Sequence, residues 1–381
     1  MINDMNAILL YGDTVRSPTM RREVPHTVAD PFLYAEVGGK RFTVLRSLEV
    51  ARMREVPNME PVPFEELGLD ELVAEGRAGD AVTLELALRA CRRFGIEQAT
   101  VPFDFPTALA DYLRNGGVTI EVDSSVFADR RRAKSPEQLA GMRRAQRAAA
   151  AATAAVAAQL RQATIEGNAV MLDGEPLTSE RLKAHVAEAF AANGATADEF
   201  IVAHGKQTCI GHHMGSGAIL AGEPITVDLW PCDRESSCYT DMTRTFVVGE
   251  QSDELLDYHR LCKIALDRSI AAIRPGARCS DVHRIACEVF EEGGYPTQLS
   301  KQPGEVLLEG FFHSLGHGVG LEVHESPHLD QAGDVLVEGD VVAVEPGCYR
   351  QGYGGVRLED LVLVTADGAE NLTDYPYELA P

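Results

Sequence analysis

Short apolar runs bounded by Gly, Pro or acids punctuate the first third of the chain. Ala7 to Tyr11 is one such run, and its five residues suit a strand rather than the core of a leader peptide. Asp30-Pro31 opens Phe32-Leu33-Tyr34-Ala35-Glu36-Val37, followed by Gly38-Gly39 and by Arg41-Phe42-Thr43-Val44-Leu45. Two β-rich runs about a Gly-Gly pair predict a hairpin. Pro63 to Cys91 carries helical periodicity, and Ala99 to Val101 and Val118 to Val122 predict further strands. Residues 1–128 thus read as a small α/β domain with no catalytic constellation of its own.

Past the basic stretch Arg130-Arg131-Arg132-Ala133-Lys134 the pattern lengthens. Ser135-Pro136-Glu137 has the N-cap, first-turn proline and acid of a helix start, and the helix runs through an alanine-rich stretch to about Ala163. Further helices fit Ser179 to Ala192, Glu254 to Ile273 and Ser280 to Gly293. Strands fit Phe200 to Ala203, Ile225 to Leu229, Met242 to Val248, Val341 to Glu345 and Val356 to Val364. Helices and strands come in blocks, so the chain as a whole reads as α+β, with a second domain over 129–381.

Composition narrows the partners. Apolar residues make up 45% and charged residues 24%, ordinary values for a globular chain. The formal net charge of -23 argues against nucleic acid or an anionic membrane, both of which repel an acidic surface. The basic stretch at 130–134 therefore reads as a solvated linker. Eight dispersed cysteines with no C-x-x-C pair suit reduced thiols, and the cytoplasm is the expected location. The longest apolar stretch, Ala148 to Leu160, is too short and too alanine-rich to span a bilayer.

The chemistry lies where the apolar pattern fails. Asp228 ends one strand run and Asp241 opens the next, thirteen positions on, with the turn-like Trp230-Pro231-Cys232-Asp233-Arg234-Glu235 between them. His317 lies in Gly316-His317-Gly318-Val319-Gly320, where the glycines allow close backbone approach; no lysine follows at phosphate-loop spacing. Glu345 ends an apolar run before Pro346-Gly347. Glu359 follows Arg357 by two, so a continuous strand would put both on one face, with Val356, Leu358 and Asp360 on the other. Any one such acid is ordinarily a solvated turn residue. Four carboxylates and an imidazole repeating the same anomaly form a ligand set for two hard divalent cations.

In this order and these contexts (Val-Asp-Leu, Thr-Asp-Met-Thr-Arg-Thr-Phe, Gly-His-Gly-Val-Gly-Leu-Glu-Val-His-Glu, Val-Glu-Pro-Gly-Cys-Tyr, Val-Arg-Leu-Glu-Asp) the chain resembles the pita-bread metallopeptidases. Within that group it resembles the Xaa-Pro dipeptidases (prolidases) and Xaa-Pro aminopeptidases. The resemblance runs from about Arg130 to Val364, and implies a pita-bread (creatinase/aminopeptidase) fold behind a smaller creatinase-like N-terminal domain. It implies two divalent metal ions, Mn²⁺ or Co²⁺ with Zn²⁺ as a further option, held by Asp228, Asp241, His317, Glu345 and Glu359. Asp241 and Glu359 would bridge, and Glu345 would also shuttle the proton. His212 matches a substrate-side histidine, His324 one that stabilises the tetrahedral intermediate, and His313 one lining the proline pocket. Tyr349 and Arg357 match substrate-contact or supporting positions. The substrate would be a short Xaa-Pro peptide, and the assembly a homodimer.

The chain departs from the pattern in one place: the two aspartates usually stand eleven apart, which predicts a distinctive loop over Trp230 to Ser237. His213 reads as a bystander, and His204 and His328 as surface or packing residues. Arg41 and Arg46 are candidates for gripping a proline carboxylate, with a solvated strand edge as the plainer reading. The dipeptidase reading stands ahead of an aminopeptidase because the chain is compact, and ahead of a metal-free hydrolase such as creatinase and of a non-catalytic binding protein on the same scaffold because all five ligands are present.

Overall fold

A computed structural model describes residues 7–381; whatever in the N-terminal reading rests on residues 1–6 lies outside the described residues. Two compact units divide the chain, residues 1–131 and 132–381.

The first unit is built on one six-stranded sheet. Its order is Met59–Pro63, Lys40–Leu45, Phe32–Val37, Ala7–Gly12, Gln98–Val101, Thr119–Val122. Ala7–Gly12 lies inside the sheet, and its neighbours alternate between two apolar layers. Leu9, Leu33 and Ala35 enter one core cluster, while Ile8, Leu10 and Phe32 enter the other. Burial on both faces is why this run is continuously apolar. The hairpin predicted at Gly38-Gly39 is present, with Val37 opposite Lys40 and φ of 56° and 75° at the glycines, values that favour Gly. The helical periodicity over Pro63 to Cys91 is not carried by one continuous helix. It breaks into a 3-10 turn Phe64–Leu67 and helices Leu69–Ala74 and Asp80–Phe94. Gly68, Gly76 and Gly79 sit at the breaks with positive φ.

The second unit is α+β. Pro136–Gln162 begins with a complete capping box, the Ser135 side chain and Gln138 satisfying each other's backbone N–H groups. It pairs with Ser179–Ala192, and both pack on the sheet Ile201–His204, Pro224–Leu229, Met242–Val247 around Val156, Leu182, Val227 and Phe246. A second helix pair, Asp253–Ala272 and Cys279–Glu292, packs on a five-stranded sheet around Leu266, Phe290, Val342 and Val362. That sheet runs Glu325–Leu329, Gly316–Gly318, Val341–Val344, Asp360–Thr365, Gly368–Asn371.

One expectation is corrected where the two halves meet. Val356 to Val364 is not one strand. Gly354–Arg357 belongs to a small sheet with Gly347–Arg350, and Asp360–Thr365 to the five-stranded sheet, with Leu358 and Glu359 crossing between. Arg357 and Glu359 both face the site, but through this crossover rather than through continuous strand alternation. Arg244, 1% exposed, holds the crossover. Its guanidinium donates to Asp360 at 2.9 Å, to the Glu359 carbonyl at 2.8 Å and to the Tyr375 and Pro376 carbonyls.

Candidate metal centre

The first two carboxylates come from adjacent antiparallel strands. Asp228 lies opposite Thr243, and Asp241 immediately precedes Met242, the partner of Leu229. The connection between them is more than a turn. Cys232–Asp233 pairs with Ala195–Thr196, and Asp233 takes a two-pronged bond from Arg144 at 2.8 and 2.9 Å. Ser236 packs so closely over Gly141 that a β-carbon there would collide with it. The longer loop is thus fixed to the Pro136–Gln162 helix.

His317 and Glu345 come from the other sheet. Gly316 and Gly318 lie where a β-carbon would strike the Ala343 and Ser326 carbonyl oxygens, so the glycines are required for the strand to sit between its two neighbours. The Glu345 N–H donates to the Leu315 carbonyl, setting the carboxylate beside His317. Glu359 is drawn over to the Asp241 strand by its N–H on the Thr243 carbonyl at 3.1 Å and by the Thr243 hydroxyl on its Oε2 at 2.7 Å.

The result is a dense anionic cluster. Ligand atoms of Asp241, His317 and Glu359 lie within 4.8 Å of one another, all three residues buried. His317 Nε2 is 3.6 Å from Glu345 Oε1 and 3.9 Å from Asp241 Oδ2. The Gly318 carbonyl, 3.1 Å from His317 Nδ1, can only accept, so the ring proton is on Nδ1 and the Nε2 lone pair faces the carboxylates. Burial and the neighbouring His324 lower the His317 pKa to about 3, so the ring is neutral, as a ligand must be. Asp228 accepts from Arg357 Nη2.

Burial first, then repulsion from Glu359, Asp228 and Glu345, raises the Asp241 carboxyl well above its ordinary range. Glu359 is raised in the same way, by burial and then by Asp228 and Glu345. Glu345 rises to about 7, burial outweighing the favourable pull of Arg357. Asp241 Oδ1 is buried with no hydrogen-bond partner. An orphaned carboxylate oxygen on a residue beside a neutral imidazole, among crowded acids, is the chemistry of a cation site, and the residues present fit divalent metal ions.

A cavity of about 670 Å³ opens over the cluster. All ten sequence-predicted site residues line it: His212, Asp228, Asp241, His313, His317, His324, Glu345, Tyr349, Arg357 and Glu359. His324 stacks on His317 with ring centroids 4.1 Å apart. On another side, His313 Nε2 is 3.0 Å from the Tyr349 hydroxyl, and Arg357 Nη1 donates to that hydroxyl at 3.3 Å. Burial and Arg357 lower His313 to about 3. Phe312 lies 5.1 Å from the Tyr349 ring and supplies an apolar face.

His328, read from sequence as a surface or packing residue, is exposed but also lines the cavity. His204 is a packing residue, bonded to Glu223 at 2.7 Å. His213 binds the Gly215 N–H and does not line the cavity. Arg41 is engaged within the first unit by Tyr34 and Glu23, while Arg46 is exposed and 4.0 Å from Asp30. Sequence reasoning missed Thr243, Glu199, Trp230 and Met214. Thr243 carried a signal, standing two positions after Asp241 and so on the same strand face.

A sequence profile of metallopeptidase family M24 matches residues 140–366. The Xaa-Pro dipeptidase of Pyrococcus furiosus is 35% identical over 223 residues, 56% of this chain and 60% of that protein. The corresponding Xaa-Pro dipeptidase of Pyrococcus horikoshii is 34% identical over the same shares. The matched stretch therefore spans about 60% of the length of these relatives. Among solved structures, the prolidase of Pyrococcus horikoshii superposes with a TM-score of 0.77 at 25% identity, covering 99% of this chain and 96% of that one. The X-Pro aminopeptidase of Thermotoga maritima gives 0.77 at 21% identity over 98% and 97%, a likeness of fold. No helix among the described residues is long and apolar enough to cross a membrane.

Proposed function

The chain belongs to metallopeptidase family M24, and from that premise we propose that it is an exopeptidase that hydrolyses the Xaa-Pro bond of short peptides, with Xaa-Pro dipeptides as substrates. The observation that carries this reading is the convergence of Asp241, His317 and Glu359 on one point, with a partnerless Asp241 oxygen, at the floor of a substrate-sized cavity. Asp228, Asp241, His317, Glu345 and Glu359 would hold two divalent cations, and the oxygen-rich set favours Mn²⁺, with Co²⁺ or Zn²⁺ as substitutes. When bound, such a pair supplies a nucleophile at neutral pH and polarises the scissile carbonyl.

The protein's own groups do the rest. Glu345, partly open to the cavity and with its proton affinity raised to about 7, takes the proton released by the attacking water and passes it to the leaving proline nitrogen. His324 is exposed to the cavity and is held neutral by burial and by His212, so it can donate one N–H to the carbonyl oxygen as charge develops there. His212 lines the same cavity on the substrate side. Phe312, His313 and Tyr349 form the wall for the proline ring, and Arg357 fixes Tyr349 while it balances Asp228. The eight unpaired cysteines suit a reducing compartment and support a cytoplasmic location.

Metal analysis of the purified protein, followed by incubation with Ala-Pro and Ala-Pro-Ala, tests the reading. About two divalent ions per chain and cleavage of Ala-Pro alone are expected. Cleavage of both peptides would make it an aminopeptidase, and bound metal without cleavage of either would defeat the proposal.

A further inference from the structure

The floor and the aromatic wall account for most of the cavity lining. Of the remainder, Glu199 and Trp230 bring a carboxylate and an indole with no part in the chemistry above. Their placement follows from the strand pairing. Ile201 lies opposite Asp228, and the same two segments pair again at Thr196 and Cys232. Between these pairings, residues 197–200 face residues 229–231, one residue more on one side than on the other. Continuing the Ile201–Asp228 register puts Glu199 opposite Trp230. Trp230 stands two positions beyond Asp228 and shares its face, so it projects to the metal cluster's side.

Their setting is firmly built. The Trp230–Ser237 loop is anchored by the Arg144–Asp233 pair and by Ser236 over Gly141, and the Arg234 N–H donates to the Gly194 carbonyl at the base of the facing segment. Trp230, the only tryptophan of the chain, is half-buried against this support. Glu199 is exposed, and its carboxylate has no hydrogen-bond or ion-pair partner among the described residues. Among the described residues the only arginine or lysine lining the cavity is Arg357, whose guanidinium is already engaged by Asp228, Thr243 and Tyr349. Asp198 and Glu322 add negative charge near Tyr239.

We propose that Glu199 and Trp230 form the pocket for the side chain of the first substrate residue and select a cationic one, so that Lys-Pro and Arg-Pro dipeptides are favoured. An indole face with a carboxylate opposite suits an ammonium or guanidinium group, through cation–π attraction and a charge-assisted hydrogen bond. This rests on the exopeptidase reading above.

Lys-Pro and norleucine-Pro differ only by the terminal charged group and provide the test. With the metal-loaded enzyme, kcat/KM should favour Lys-Pro by about tenfold, and Glu199→Gln should bring the ratio close to one. Glu199→Lys should reverse the preference between Lys-Pro and Glu-Pro. A Lys-Pro to norleucine-Pro ratio that does not move in Glu199→Gln, whether the two rates hold or fall together, overturns the assignment. Quenching of the single tryptophan gives dissociation constants for the same peptides without turnover. Lys-Pro should bind the tighter, and equal constants in the unaltered protein also overturn the proposal. Absence of hydrolysis of every dipeptide with the binding preference intact would fault the exopeptidase reading and leave the pocket standing.

Discussion

Each unit of this protein buries a knot of ionisable groups, and the two knots differ in charge balance. In the first unit, Arg130 bonds Glu36 through two nitrogens at 2.9 Å and Glu23 at 3.0 Å, and Arg41 and the Tyr34 hydroxyl close the network. Two acids meet two arginines. Burial pushes the Glu36 carboxyl up, but the Arg130 and Tyr34 bonds outweigh it and leave the carboxyl below its ordinary range. In the second unit, Asp228, Asp241, Glu345 and Glu359 meet one arginine, Arg357. Three of these carboxyls are raised rather than lowered. The first knot is complete as it stands. The second lacks roughly the charge that two dications would bring, and a buried imbalance of that size marks a site that holds something.

Perturbing each knot should separate these roles. The largest effect belongs to the unbalanced one: Glu345→Gln should lower kcat on Ala-Pro by about 10²–10⁴-fold with the far-ultraviolet dichroism unchanged, and retained turnover would remove Glu345 from proton transfer. Thr243→Val removes the hydroxyl that orients Glu359 and should weaken metal binding by about 10–100-fold, read by competition with a chelating dye. Arg130→Ala should leave kcat untouched and cost about 1–3 kcal/mol of stability in urea unfolding, because Glu23 and Glu36 lose their main partner in a half-buried setting. An equal loss of activity in that variant would contradict the division of roles.

The smallest effect is a pH dependence outside both knots. Burial lowers the pKa of His259 and of His283, the latter with a partnerless Nδ1. The unfolded chain binds protons at these rings near pH 6.5 while the folded protein resists them. Their contribution to stability is therefore complete above about pH 6.5 and declines as pH falls below it. Thermal unfolding between pH 7.5 and 5.5 should show this decline, and His283→Phe should flatten it.

The site was more legible in the sequence than the path that builds it. Asp228, Asp241, His317, Glu345 and Glu359 could be found because an acid or imidazole inside an apolar strand has no packing reason, an argument needing only local pattern. Arg357 beside Glu359 was placed on the right face for an incomplete reason. Alternation within one strand was assumed, whereas the chain changes sheets at Leu358 and Glu359, and the anchoring bonds to Thr243 and Arg244 link positions more than a hundred residues apart. Three helices of the second unit start at side-chain caps, at Ser135, Thr178 and Ser252. The broken helices between Phe64 and Phe94 show the opposite, where apolar periodicity carried across three glycines that interrupt it. Trp230, two positions past Asp228, carried the same one-face signal as Thr243, while Glu199 carried none, since its meeting with Trp230 depends on a bulge between paired strands.

The crossover at Leu358 and Glu359 also decides when the candidate site is complete. Asp228 and Asp241 are synthesised more than a hundred positions before Glu359, and His317 and Glu345 belong to the opposite leaf. A chain truncated ahead of residue 359 therefore presents an incomplete cradle, and a growing one completes it only with its last segment.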